Sequence, residues 1–209
     1  MTIAVGGQNV SRETYAELQA FMELVQKWTL RINLISKSSV PYIWDRHIVD
    51  SVQLYHLAPE HFWRWIDIGS GGGFPGIVMA ILGKAAQPNA TFTLIESDQR
   101  KATFLRTAAR ELSLPVTVIA DRIENVAPQE ADVVSARALT ALSTLLPLIA
   151  RHMNPDGIAL LHKGQRYQAE IAEARQSWSF DLEEHPSMTD PDARLLTVKR
   201  IHRDKITSA

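Results

Sequence analysis

The chain contains no cysteine. That excludes disulfides and any thiolate nucleophile, and it accords with a reducing compartment. It also lacks a long hydrophobic run. A membrane-spanning helix needs roughly 20 consecutive apolar residues, and the best candidate, residues 138–150, is broken by Thr140, Ser143, Thr144 and Pro147. The first residues have no cationic segment followed by an apolar core, so no secretion signal is read. A cytoplasmic chain with no membrane partner is the expectation. An excess of one charge is missing too. Lys and Arg number 22 against 23 Asp and Glu, for a formal net charge of −1. Any surface for nucleic acid must therefore be local. There is no His-Glu-x-x-His or similar ligand spacing, so no metal is expected. Internal repeats and low-complexity segments are absent.

What is present suits one domain with a modest extension. The chain has 209 residues, of which 45% are hydrophobic, enough for a sizeable core. Residues 1–10 read as a loose tail. From Ser11, a good helix cap, Leu18, Phe21, Met22, Val25 and Trp28 recur at helical spacing. A second helix is expected over residues 42–57, started by Pro41 and closed by Pro59. Residues 1–60 thus form a helical cap. Residues 61–209 then alternate. Strands are expected at 64–69, 90–97, 116–121, 131–137 and 157–163, with helices at 75–82 (closed by Gly83 and Pro88), 100–114, 140–153 (interrupted or bent near Pro147) and 167–178. Segments 180–185 and 195–202 can pair as antiparallel strands around Asp190-Pro191-Asp192. The expectation is an α/β fold with a mostly parallel seven-stranded sheet and helices on both faces. Ligands of such folds sit at the carboxyl ends of the strands.

The most informative stretch lies there: Ile66-Asp67-Ile68-Gly69-Ser70-Gly71-Gly72-Gly73-Phe74-Pro75-Gly76. A glycine turn between strand and helix lets a nucleotide-like cofactor approach the backbone. Glu96, at the end of the next strand, can accept both ribose hydroxyls of an adenosine. NAD and S-adenosylmethionine both fit this layout. Asp67 favours the latter, since a carboxylate beside the loop would repel a pyrophosphate and could help hold a cationic aminoacyl group. Asp121 to Glu124, after the third strand, lies where an adenine contact falls in the methyltransferase version of the fold.

Several segments together resemble one family, the bacterial 16S ribosomal RNA guanine-N7 methyltransferases of the G type. They are Lys27-Trp28, Asn33-Leu34, Arg46-His47-Ile48-Val49-Asp50-Ser51, the glycine loop with Phe74-Pro75-Gly76, Arg100-Lys101, Phe104-Leu105, Arg122-Ile123-Glu124, Ser135-Ala136-Arg137-Ala138 and Lys163-Gly164. The resemblance implies a Rossmann-like class I methyltransferase with an N-terminal helical cap, S-adenosylmethionine as cofactor, and 16S ribosomal RNA of the small subunit as partner. By position, Gly69, Gly71 and Phe74 would line the methionine and ribose end, and Ile123 and Glu124 the adenine. Arg137 would meet the cofactor carboxylate or lie near the guanine. Where members often carry Asp, this chain has Glu96. Where they often carry Pro, it has Gly72, which implies a more mobile loop before ligand binds.

Guanine N7 is a bare lone pair with no proton to lose, so no catalytic base is named and alignment of the reactants is the remaining task. RNA contacts are expected from Arg100, Lys101, Arg122, Lys163 and Arg166, with Lys199, Arg200, Arg203 and Lys205 as a second patch. The tryptophans Trp28, Trp44, Trp63 and Trp65 read as core anchors. His47 is expected to pack or hydrogen-bond in the cap, and Asp50 to lie near the cofactor mouth or to pair with Arg46. A monomer is expected. A methyltransferase for a small molecule or protein, an NAD-linked oxidoreductase and a non-catalytic ribosome-binding module stay open as alternatives.

Overall fold

The computed structural model describes residues 2–204; Lys205 lies outside them. Seven strands form one sheet: β3 (Arg64–Ile68), β4 (Thr91–Ile95), β5 (Val116–Ile119), β6 (Ala131–Arg137), β7 (Met153–Lys163), β8 (Trp178–Pro186) and β9 (Arg194–Arg203). Their spatial order is β5-β4-β3-β6-β7-β9-β8. The first five are parallel, and β9 runs antiparallel to both β7 and β8. After β5 the chain crosses back to the far side of β3. The carboxyl ends of β3 and β6 therefore flank the point where the winding reverses, the ordinary ligand crevice of such sheets.

Side chains alternate across the sheet with period two. On one face Trp65, Phe92, Val133 and Leu160 pack under α1 (Arg12–Thr29), α3 (Gly76–Ala86) and α4 (Gln99–Glu111). On the other, Ile66, Val134, Ala159 and Leu161 pack against α5 (Leu142–His152) and α6 (Tyr167–Ala174). Leu18, Phe21, Val25, Ile43, Ile48 and Val52 join the first of these cores. The N-terminal segment thus shares apolar contacts with the sheet domain. Trp65 is fully buried and donates its indole N–H to Ser135 Oγ at 2.9 Å. Trp63, by contrast, is 65% exposed, so it is not a core anchor.

The structure departs from expectation in several places. The first ten residues are not loose: β1 (Ile3–Val5) and β2 (Gln8–Val10) form a hairpin around Gly6-Gly7, both at positive φ, as tight hairpin turns require. Residues 42–57 are not one α-helix. They change pitch, from a 3₁₀ turn (Lys37–Tyr42) to a π turn (Trp44–Val49), then α2 (Asp50–Val52) and a second 3₁₀ turn (Gln53–Leu57). Helix α5 continues through Pro147. Helix α3 runs past Gly83 to Ala86, because that glycine makes room for an aromatic ring. A Cβ there would stand 2.3 Å from Phe92 Cζ.

Gly83 is therefore a packing residue rather than a helix stop. Gly83→Ala should destabilise the protein by about 1–3 kcal/mol, the cost of overfilling a packed core. Thermal unfolding checks this. An unchanged melting temperature would show that Phe92 moves aside freely.

Candidate functional site

The turn after β3 is shaped by what surrounds it. Gly69 sits at φ +68°, and a Cβ on it would stand 2.5 Å from Leu139 Cδ1. A side chain is therefore excluded by conformation and by contact. The Gly69 and Ser70 amides donate to the Ile95 carbonyl at 2.9 and 3.1 Å, and the Gly73 amide to the Ser70 carbonyl at 2.8 Å. Glu96, 7% exposed, spans two backbone elements: Oε2 accepts the Gly71 N–H at 2.7 Å and Oε1 the Asp98 N–H at 2.8 Å. The first turn of α4 is capped by Asp98, whose Oδ1 accepts from the Arg100 and Lys101 amides.

These elements enclose a cavity of about 560 Å³, within the range of small-molecule sites. All seven residues assigned above to cofactor binding line it: Gly69, Gly71, Phe74, Glu96, Ile123, Glu124 and Arg137. Lys101, Asp121, Arg122 and Leu148 also line it. The 3₁₀ turn Ile123–Asn125 that carries Ile123 and Glu124 is fixed from behind. Buried His152 Nε2 lies 3.1 Å from the Ile123 carbonyl, and Arg151 donates to the Val126 carbonyl. Acceptors at one end, backbone glycines in the middle and an apolar wall at Ile123 and Leu148 suit an adenosine carrying a polar tail.

The profile of the family described as rRNA small subunit methyltransferase G matches residues 14–196. The chain belongs to this family. It is 54% identical over 191 residues to a ribosomal RNA small subunit methyltransferase G of Cereibacter sphaeroides, covering 91% of this chain and 92% of the relative. Two more distant solved structures share the fold alone. A mutant of MtNAS in complex with S-adenosylmethionine has a TM-score of 0.60 at 15% identity, covering 90% of this chain and 72% of that one. M. jannaschii TYW2 in complex with AdoMet gives 0.57 at 15% identity, covering 84% and 80%.

For a member of the rRNA small subunit methyltransferase G family, the most telling side chain is Arg137 at the end of β6. Its Nη1 donates to Asp50 Oδ2 at 3.1 Å and to the Arg46 carbonyl at 3.2 Å; its Nη2 lies 2.8 Å from His47 Nδ1. The guanidinium also sits 5.2 Å over the Phe74 ring, on which His47 stacks. Arginine only donates, so His47 must offer a lone pair at Nδ1 and carry its proton on Nε2, a buried atom with no partner. Burial, reinforced by the Arg137 charge, pushes His47 down to about 4. Asp50 is thus partnered by Arg137 and not by Arg46, the sequence neighbour proposed for it. Burial pushes its carboxyl up. His162, Arg137 and the Thr189 hydroxyl pull harder, and the carboxyl lies below its ordinary value.

Two other expectations need correction. Asp67 does not reach the cavity. It is 1% exposed and lies beneath the loop, with Oδ1 accepting from Ser135 Oγ at 2.7 Å and Oδ2 lying against Gly76. Burial raises its carboxyl to about 6 against the pull of Ser135, Ser70 and the Gly76 amide. Its role is to brace the turn, and it cannot touch an aminoacyl group from there. Lys163, expected to meet RNA, is committed inside the protein. Its Nζ donates to the Thr140 carbonyl at 2.7 Å and to Glu170 Oε2 at 2.8 Å, the oxygen that also accepts the Leu142 amide and so begins α5. Among the other basic candidates, Lys101 and Arg122 stand at the cavity. Arg100 is exposed and paired with Asp98, and Arg166 is exposed at the start of α6. Of the C-terminal patch, Arg200 pairs with Asp181.

The burial of His47, beside the Arg137 charge, makes stability depend on acid. Between pH 6.5 and 4 the unfolded chain binds the His47 proton and the folded chain does not, so folding weakens as pH falls through that window. Wild type should lose about 1–2 kcal/mol more stability than His47→Gln on going from pH 7 to 5. Asp67, raised, works in the opposite sense below pH 6 but cancels in this difference. Chemical denaturation at the two pH values checks the sign, and equal losses would contradict the neutral assignment.

Proposed function

We propose that the chain transfers a methyl group from S-adenosylmethionine to N7 of a guanine in 16S ribosomal RNA of the small subunit, without a general base. It is a methyltransferase of ribosomal RNA by family, and the cavity at the glycine turn suits the cofactor. The single observation that carries the cofactor reading is the cavity itself, which gathers a glycine turn, a strand-end carboxylate and an apolar wall into one space.

The residues divide the work. Each Glu96 oxygen already accepts one amide hydrogen and retains a second acceptor site, so the same carboxylate can hold the turn and the ribose hydroxyls. Ile123 and Leu148 would flank the adenine ring, and Asp121 or Glu124 would accept from its amino group. Gly69, Gly71 and Phe74 would border the methionine end, and Arg137 would meet its carboxylate. When bound, S-adenosylmethionine supplies a methyl group on a positively charged sulfur. N7 has a lone pair and no proton, so the protein need only orient base and cofactor and exclude water, and orientation alone is worth several kcal/mol. Arg137 remains charged, and its neighbour His47 is neutral at working pH. Neither is required to move a proton. Lys101 and Arg122, beside the mouth, would meet backbone phosphates, the usual anchor of protein–RNA contacts.

Labelled methyl transfer to small subunits purified from cells lacking this protein tests the reading. Label should appear on N7 of one guanine, with a single-turnover rate that shows no ionisation near neutrality. Gly69→Asp, whose side chain would collide with Leu139, should abolish transfer. A rate that titrates near pH 7, with the titration removed by one substitution, would contradict base-free transfer.

A further inference from the structure

A second cavity of about 580 Å³ lies beside the first. Arg137 and Ala138 are the only lining residues the two have in common among the described residues. Its walls come from the helical turns around Arg46 and Asp50, from His162, Lys163 and Gly164 at the end of β7, and from the β8–β9 turn at residues 189–193. Charge accounting singles out two of these groups. Asp50 is satisfied by Arg137, Gln53 and Thr189, and Lys163 by Glu170. Asp190 Oδ1 accepts the Asp192 amide and so folds the turn. The Asp192 carboxylate itself has no hydrogen bond or ion pair among the described residues, and Arg46 has no carboxylate partner there, only the Tyr42 ring at 5.8 Å.

The turn that presents Asp192 is held firmly. Thr189 Oγ1 donates to Asp50 Oδ1 at 2.7 Å, the Met188 amide donates to Gln53 Oε1 at 2.9 Å, and Arg194 donates to the Pro191 and Ala193 carbonyls. The exposed Asp192 carboxylate thus sits on a braced turn, free to accept from a ligand, in a space that shares Arg137 and Ala138 with the cofactor cavity.

We propose that this second cavity receives the target nucleotide, with Asp192 accepting the N1–H and N2–H of the guanine and Arg46 meeting its phosphate; the proposal rests on the guanine-N7 reading above. A carboxylate matches the two adjacent donors of the guanine Watson–Crick edge, whereas adenine presents an acceptor at N1 and is repelled. In guanine the Watson–Crick edge and the edge that carries N7 are adjacent and share O6, so a grip on N1 and N2 leaves N7 uncovered. A base held at its Watson–Crick edge by the β8–β9 turn therefore keeps N7 free to face Arg137 and Ala138, the residues shared with the cofactor cavity.

The test uses the full chain and small subunits that lack the methyl group. Asp192→Ala should lower kcat/KM for subunit methylation roughly 10- to 100-fold, the usual discrimination of a bidentate base contact, with S-adenosylmethionine affinity and melting temperature unchanged. Subunits carrying inosine at the methylated position, which lacks the N2 amine, should be poor substrates for wild type. They should be no worse than guanosine subunits for Asp192→Ala. Equal kcat/KM for wild type and Asp192→Ala, or the same inosine penalty in both, overturns the assignment while wild-type methylation leaves the parent reading standing. Failure of wild type itself to methylate subunits would remove both.

Discussion

The guanidinium of Arg137 touches both halves of this molecule. It closes the end of β6 and reaches across to Asp50, His47 and the Arg46 carbonyl on the N-terminal segment, with the Phe74 ring beneath it. Arg137 and Asp50 have side chains 16% and 15% exposed, so each depends on the other for solvation of its charge. Removing one partner of such a pair costs about 3–5 kcal/mol when burial is complete, and somewhat less here. The pair fixes where the helical turns sit relative to the glycine turn, and hence the boundary between the two cavities.

That boundary organises the proposed chemistry. One cavity has the acceptors and apolar wall of an adenosine site. The other has Asp192 on the β8–β9 turn and Arg46 on the π turn, neither with an ion-pair partner among the described residues. A reaction that needs alignment and no proton transfer is well served by two pre-shaped spaces meeting at one wall. The buried polar groups around it support this by immobility. His47 is kept neutral, Asp67 braces the turn from below, and Lys163 locks the start of α5 to β7 through Glu170.

The strands, their order of appearance and the cofactor turn were legible in the sequence because each rests on local pattern: apolar runs, glycines at fixed offsets and an acid at a strand end. Less legible was anything set by tertiary pairing. The segment Arg46 to Ser51 stood out as a signature, yet its π turn, which presents the Arg46 carbonyl to Arg137, leaves no periodicity to read. Lys163 looked like a surface cation because its partner Glu170 lies on the next helix. Asp67 looked like a ligand group because one-dimensional spacing cannot tell the top of a turn from its underside. Gly83 looked like a stop because the ring it accommodates, Phe92, lies on a different strand.

Mass-spectrometric mapping of 16S ribosomal RNA from cells with and without this protein tests the central claim most directly. The account predicts that one 7-methylguanosine disappears with the protein, returns with the wild-type chain and does not return with the Gly69→Asp variant. An unchanged 7-methylguanosine content in the deleted cells would contradict it.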